Sequence, residues 1–265
     1  MSALPDASAE MSEPVLQAIG ISKRFGAVVA LEDVSIDIHP GEIAGLVGDN
    51  GAGKSTLIKI LSAVLRPDSG AIAFDGEQVT FHSPSEARAA GIETVYQDLA
   101  LAGNMTIWAN IFLGREETIG PKPLNILDKQ RMAREARQML ARLGLNVPPM
   151  QSTVASLSGG QRQSIAIARA AAWGSKVIIL DEPTAALGVA ETLAVERMIL
   201  GLRDRGFGII MISHNMPQVE RLADTIWVLR RGHMVDHCRR VDTDLEEIVS
   251  LITGASTRFK NGHTS

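Results

Sequence analysis

The residues best suited to chemistry in this sequence form one glycine-rich run, Gly48-Asp49-Asn50-Gly51-Ala52-Gly53-Lys54-Ser55-Thr56. Its glycines let the backbone curl tightly, so that successive N–H groups point at a single anion. Lys54 offers a charge to the β- and γ-phosphates of a nucleotide, and the Ser55 hydroxyl offers an oxygen to Mg²⁺. A plain glycine-rich turn with a chance lysine would read the same way, so other residues must decide. Two carboxylates stand side by side at the end of the apolar run Val177-Ile178-Ile179-Leu180-Asp181-Glu182. Strand ends are where open α/β sheets place their ligands. Asp181 is suited to the Mg²⁺ side of a phosphate site, and Glu182 to orienting or deprotonating a water. Leu157-Ser158-Gly159-Gly160-Gln161 puts a hydroxyl and two bare backbone N–H groups at the start of a helix. That is a second place for an anion, or else an ordinary helix cap.

These residues need a scaffold, and the sequence supplies one. Ile43-Ala44-Gly45-Leu46-Val47 reads as a buried strand ahead of the glycine run, and Lys54 onward reads as a helix behind it. Strand, turn and helix are the context that a phosphate-binding loop requires. Val177–Leu180 and Gly208–Ile212 read as further buried strands, the kind found in parallel sheets. Val15–Ile21, Leu31–Ile38, Ala71–Phe74 and Gln78–Phe81 read as an antiparallel sheet near the N-terminus, and Ile92–Tyr96 and Ile226–Leu229 as short strands. From Asp98 to about Gly174 the strand pattern vanishes. Asp128 caps a helix there whose face is Met132, Ala136, Met139, Leu140 and Leu143, with Gly144 at its end. Ser158 caps a second helix, Gly159–Trp173. Helices at Val189–Arg205, Gln218–Leu222 and Leu245–Thr253 complete the pattern. The fold expected is α/β: a phosphate-loop core with a mainly parallel sheet, an N-terminal antiparallel β subdomain, and an inserted α-helical subdomain at about 98–174. One domain is expected over 14–254, with disordered tails at 1–13 and 255–265.

The 265 residues are 45% hydrophobic, enough for one large core. A net charge of −4 gives no global basic field for nucleic acid. Cys238 is the only cysteine, which excludes an intrachain disulfide and fits a reducing compartment. Residues 1–12 lack a basic start and an apolar stretch, so they do not read as a signal peptide. No apolar run is long enough to span a bilayer.

Taken together, the motifs make the chain resemble an ATP-binding cassette, the nucleotide-hydrolysing subunit of ABC transporters, over about Val15 to Gly254. Gly48–Thr56 matches the Walker A loop and Ile178–Glu182 the Walker B strand with its catalytic glutamate. Leu157–Gln161 matches the family signature. Gln97, in Val95-Tyr96-Gln97-Asp98, matches the Q-loop, and His214, in Ile212-Ser213-His214, the switch histidine. Phe25, in Lys23-Arg24-Phe25-Gly26, would by the family pattern stack on adenine, although a Phe after a strand also reads as core.

The resemblance implies ATP and Mg²⁺ as cofactors, with Ser55, Gln97 and Asp181 on the metal. It implies a head-to-tail homodimer in the ATP-bound state, in which Ser158, Gly159, Gly160 and Gln161 of one chain meet the γ-phosphate held by Lys54 of the other. Catalysis would fall to Glu182, His214, Gln97 and Lys54. The partner would be a membrane permease, with a periplasmic sugar-binding protein acting indirectly and no nucleic acid. The place would be the cytoplasmic face of the inner membrane, as a peripheral subunit. The wording Val95–Leu101 and Asn110–Glu116 is similar to bacterial importers of the ribose, xylose and fructose group. The alternative is a soluble, non-transport cassette acting on ribosomes or DNA; by the family pattern such proteins usually carry two cassettes in one chain or a long coiled-coil insertion, and this sequence shows neither. One departure stands out: the family's D-loop ends in Asp, where this chain has Gly188.

Overall fold

The computed structural model describes residues 13–120, 126–143 and 148–257. The chain opens with an antiparallel hairpin, β1 (Leu16–Phe25) and β2 (Val28–Ile38), and then crosses to β3 (Ile43–Val47), which leads into α1 (Lys54–Leu61). β4 (Ser69–Phe74) and β5 (Glu77–Val79) follow, then α2 (Pro84–Ala90) and β6 (Ile92–Val95). The next part is helical: α3 (Ile107–Ile111), a small hairpin of β7 (Thr118–Ile119) and β8 (Ile126–Leu127), α4 (Lys129–Arg142) and α5 (Gly159–Ala171). The chain then alternates through β9 (Val177–Asp181), α6 (Val189–Arg203), β10 (Gly208–Ile212), α7 (Met216–Leu222), β11 (Thr225–Arg230), β12 (His233–Arg239) and α8 (Leu245–Thr253).

Two sheets result. The antiparallel one has the order β2-β1-β4-β5, and the larger one the order β12-β11-β3-β10-β9-β6. Every neighbour pair in the larger sheet is parallel except β11–β12. Side chains alternate across it. Ile178, Leu180, Ile209 and Met211 face one apolar cluster with α4, α5, α6 and α8, while Val177, Ile179, Ile210 and Ile212 face another with β1, β2 and α1. Both faces are therefore covered, and this is why the central strands β3, β9 and β10 are apolar along their buried lengths.

Several elements depart from the sequence expectation. The stretch expected to lack strands contains the β7–β8 hairpin, two residues on each side, whose Ile119, Ile126 and Leu127 stay exposed. Helices α2 and α3 were not expected; at seven and five residues they are too short to show a period. Strand β12 was not expected either, because its sequence is largely polar. It is an edge strand, paired on one side only, and its His237 stacks on Trp227 at 4.3 Å. Helix α4 is capped by Asp128, which accepts from the Arg131 N–H at 3.0 Å. The expected helix end at Gly144 lies outside the described residues, as do the expected tails except for Glu13 and 255–257.

Candidate nucleotide site

The strand register brings four of the five stretches to one edge, while Leu157–Gln161 lies apart at the start of α5. Leu46 of β3 pairs with Ile212 of β10, and Ile212 pairs with Asp181 of β9. Val95 of β6 pairs with Leu180. Beyond this row the chain leaves the sheet at the glycine run, at Glu182, at Ser213-His214 and at Tyr96-Gln97. Residues separated by up to 166 positions thus meet at the carboxyl ends of parallel strands, where such sheets bind ligands.

The glycine run is shaped by its surroundings. Gly53 has φ 110°, and a Cβ there would lie 2.6 Å from the Ala30 carbonyl oxygen of β2. Gly51 also has positive φ, 79°, but faces open space. Lys54 is half-buried, and its ammonium donates to the carbonyls of Gly48 and Asp49, the latter at 2.9 Å. Burial pushes its pKa down, against an upward pull from Glu182, Asp49 and Asp181. The Asp181 carboxyl is pushed up, first by burial and then by the charge of Glu182, while Lys54 and Lys59 oppose. Lysine and aspartate therefore feel each other across the site.

Glu182 and His214 are in direct contact. Glu182 Oε1 accepts from His214 Nδ1 at 2.7 Å and from its backbone N–H at 3.2 Å. Glu182 has φ 52°, a left-handed conformation that non-glycine residues seldom adopt and that often marks functional positions. Its side chain is 17% exposed, against 77% for His214, so the acid is sheltered and the imidazole open.

No group of three or more His, Cys, Asp or Glu suited to a metal occurs among the described residues. The oxygens at hand are the Ser55 hydroxyl at the start of α1, the Asp181 carboxylate at the end of β9, and the Gln97 amide just beyond β6. Hard oxygen donors that include a single carboxylate fit Mg²⁺, which takes its remaining ligands from water and phosphate.

The start of α5 forms a full capping box. The Ser158 hydroxyl accepts from the Gln161 N–H at 3.3 Å, and the Gln161 side chain accepts from the Ser158 N–H at 3.0 Å. A third group, not foreseen from the sequence, joins them. The Glu191 carboxylate accepts from the Gly188 N–H at 3.3 Å and lies against Gly160, where a Cβ would meet the Glu191 Cβ at 2.7 Å. Its pKa is held down by the Ser158 hydroxyl first, then by the N–H groups of Gly188 and Gly160. Gly188 is the N-cap of α6.

Phe25 is 48% exposed at the tip of the β1–β2 hairpin, with the Lys23 ammonium 5.8 Å from its ring. It is not a core residue. Gln97 is exposed as well.

The ABC transporter family model matches residues 31–185. The chain is 49% identical over 247 residues to the fructose import ATP-binding protein FrcA of Rhizobium meliloti, covering 92% of this chain and 95% of that protein. It is 45% identical to the xylose/arabinose import ATP-binding protein XylG of Sulfolobus acidocaldarius, covering 90% and 94%. The fold is similar to the crystal structure of the ADP conformation of an ATP-binding cassette of an ABC transporter, with a TM-score of 0.77 at 28% identity, covering 91% and 96%. On the family model and these relatives, the chain belongs to the ABC transporter family of ATP-hydrolysing subunits.

Proposed function

We propose that this chain is the motor of a monosaccharide importer, hydrolysing ATP in a head-to-tail homodimer held on a separate membrane permease. The observation that carries the catalytic part is the Glu182–His214 contact at the sheet edge that bears Lys54 and Asp181. On this reading the glycine-run N–H groups and Lys54 cradle the β- and γ-phosphates, and Phe25 stacks on adenine. Ser55, Asp181 and Gln97 would hold Mg²⁺, which neutralises charge on the phosphate oxygens. Glu182 takes the proton of the attacking water, and His214 keeps that water and the γ-phosphate in line. Ser158 and Gly160 complete the cradle from the partner chain, so the transition state is stabilised only when two chains and ATP come together.

The permease would dock in a groove of about 1110 Å³ that opens beside Gln97. Tyr96, Arg88, Glu93, Arg115, Arg169 and Trp173 line it. The Arg115 guanidinium lies 5.0 Å from the Trp173 ring and 3.4 Å from Glu93, a mixed apolar and charged floor suited to a short permease helix. No helix among the described residues is long and apolar enough to cross a membrane. Held by the permease, the chain would sit as a peripheral subunit on the cytoplasmic face of the inner membrane. The sugar class follows from the relatives, whose names give fructose and xylose or arabinose. A periplasmic binding protein would present the sugar on the far side.

The test is reconstitution of the chain with its permease and binding protein in vesicles, measuring ATP hydrolysis against a panel of monosaccharides. One sugar should stimulate turnover and accumulate inside. Hydrolysis indifferent to every monosaccharide would sink the sugar assignment while leaving the ATPase intact.

A further inference from the structure

Gln218 lies on the short helix α7 and is fully buried, with 0% exposure. A buried amide must satisfy its polar atoms within the protein. Its Nε2 donates to the Thr184 hydroxyl at 2.7 Å and reaches Glu196 Oε1 at 3.5 Å. Its Oε1 accepts from the Ser213 hydroxyl at 2.9 Å. The chemistry fixes this orientation. Glu196 is buried and its two oxygens accept from Arg221 at 2.6 and 3.2 Å, so the amide nitrogen, a donor, has to face it.

The two hydroxyls matter because of what they neighbour. Thr184 is two residues after Glu182, in the turn closed by the Ala185 N–H donating to the Glu182 carbonyl at 3.2 Å. Ser213 is the residue before His214. Its hydroxyl also accepts from the Asn215 N–H at 3.0 Å, and the Asn215 side chain accepts from the Gln218 N–H at 3.2 Å. Both residues flanking His214 are therefore tied to Gln218, one through the amide side chain and the other through the backbone. One side chain bridges the turn that carries Glu182 and the turn that carries His214.

We propose that Gln218 is a positioning residue for ATP hydrolysis, holding these two turns in the relation that sets Glu182 against His214. This rests on the roles proposed above for those two residues. Gln218 touches neither nucleotide nor water; it acts through Thr184 and Ser213. Loosening it should leave the phosphate cradle intact, because Lys54 and the glycine run share none of its hydrogen bonds. The loss should then fall on the chemical step, where misplacement by about 1 Å costs on the order of a hundredfold.

The test uses the full chain carrying Gln218→Met, Thr184→Val, both together, or Ser213→Ala. Phosphate release at saturating ATP gives kcat, and titration with a fluorescent ATP analogue gives the affinity. The expected result is a kcat lowered about ten- to a hundredfold in Gln218→Met and Thr184→Val, with affinity unchanged within about twofold. The double variant should be no worse than the worse single, since both cut the same tether. In a His214→Ala background, Gln218→Met should cost almost nothing further. If kcat stays near wild type in the single variants, the proposal is overturned. It is also overturned if affinity falls in step with kcat, or if the two losses multiply. Should Gln218→Met fail to fold, Thr184→Val and Ser213→Ala decide alone by the same split. Full turnover in Glu182→Gln and His214→Ala would instead overturn the roles beneath the proposal, and the proposal with them. Loss of turnover in those two, with wild-type turnover in the tether variants, would overturn Gln218 alone.

Discussion

Two glycines of one run should respond very differently to the same added methyl group. Gly53 has φ 110°, and a Cβ there would meet the Ala30 carbonyl oxygen at 2.6 Å and Leu31 Cδ2 at 2.8 Å. The oxygen belongs to β2 and cannot swing aside as a side chain would. Holding an L-residue at that φ costs about 1–3 kcal/mol. Forcing the backbone contact apart costs about 1–3 kcal/mol more. Gly53→Ala should therefore lose about 2–6 kcal/mol, and at roughly 2–4 °C per kcal/mol for a domain of this size Tm should drop by roughly 5–20 °C. Gly51, at φ 79°, has nothing within 4 Å of its would-be Cβ. Gly51→Ala meets only the left-handed penalty, about 1–2 kcal/mol, and should lose a few degrees. The ranking should repeat in nucleotide affinity, because moving Gly53 displaces the first turn of α1 and with it Lys54. Thermal unfolding and titration with a fluorescent ATP analogue read both quantities. Equal losses in the two variants would refute the claim that the packing of β2 against Gly53 shapes the loop.

Three further outcomes are expected. Glu182→Gln should keep ATP affinity within about twofold and lose about 10²–10⁴ in phosphate release, the range for a general base; turnover near wild type would remove Glu182 from that role. Glu191 has a folded pKa below its ordinary value, so its carboxylate adds stability above the unfolded value of about 4.3, and that stability is lost as pH falls through the lower folded value. The Tm advantage of the wild type over Glu191→Gln should thus be present at neutral pH and shrink only below about pH 4.3, and a gap that is constant with pH would count against it. Lys54→Ala and Ser158→Arg proteins, each inactive on the permease, should regain ATPase when mixed, because one site of the mixed dimer is then intact; a mixture that stays dead, while wild type mixed with Lys54→Ala remains active, would mean that each chain completes its own site.

The sequence was most legible where burial is most complete. Strands β3, β9 and β10 are covered on both faces, so each appears as an unbroken apolar run. The phosphate loop and the acidic strand end were legible because their spacing is local. The register was not, since pairing Ile212 with both Leu46 and Asp181 is a tertiary choice. Nothing local marks β12, whose residues are mostly polar because an edge strand need bury little. Glu191 and Gln218 escaped notice for a different reason. Each acts on a partner far along the chain, Gly160 and Thr184, and a lone Glu or Gln on a helix has no periodic signature. A Phe after a strand is more often core, and only the position of Phe25 at a hairpin tip leaves it on the surface.

The groups assigned to phosphate chemistry are already satisfied by the chain itself. The Lys54 ammonium is held by two carbonyls of its own loop, the start of α5 has the Glu191 carboxylate beside it, and Glu182 is held by His214. On the proposed reading, a phosphate entering this site exchanges one set of hydrogen bonds for another. The net gain of an exchange is small, about 0.5–1.5 kcal/mol for each bond, compared with what a free buried donor would yield. Ground-state binding of ATP is weaker by the difference. The transition state is affected less, because its charge spreads onto oxygens that only a closed dimer can surround. Self-satisfaction therefore weakens ground-state binding more than transition-state binding; the ground-state loss raises KM, and the difference between the two appears in kcat. The tether through Gln218 follows the same logic. On the proposed reading it holds the turns of Glu182 and His214 in place before a phosphate arrives, so that closure would have only to bring the second chain's Ser158 and Gly160 into place.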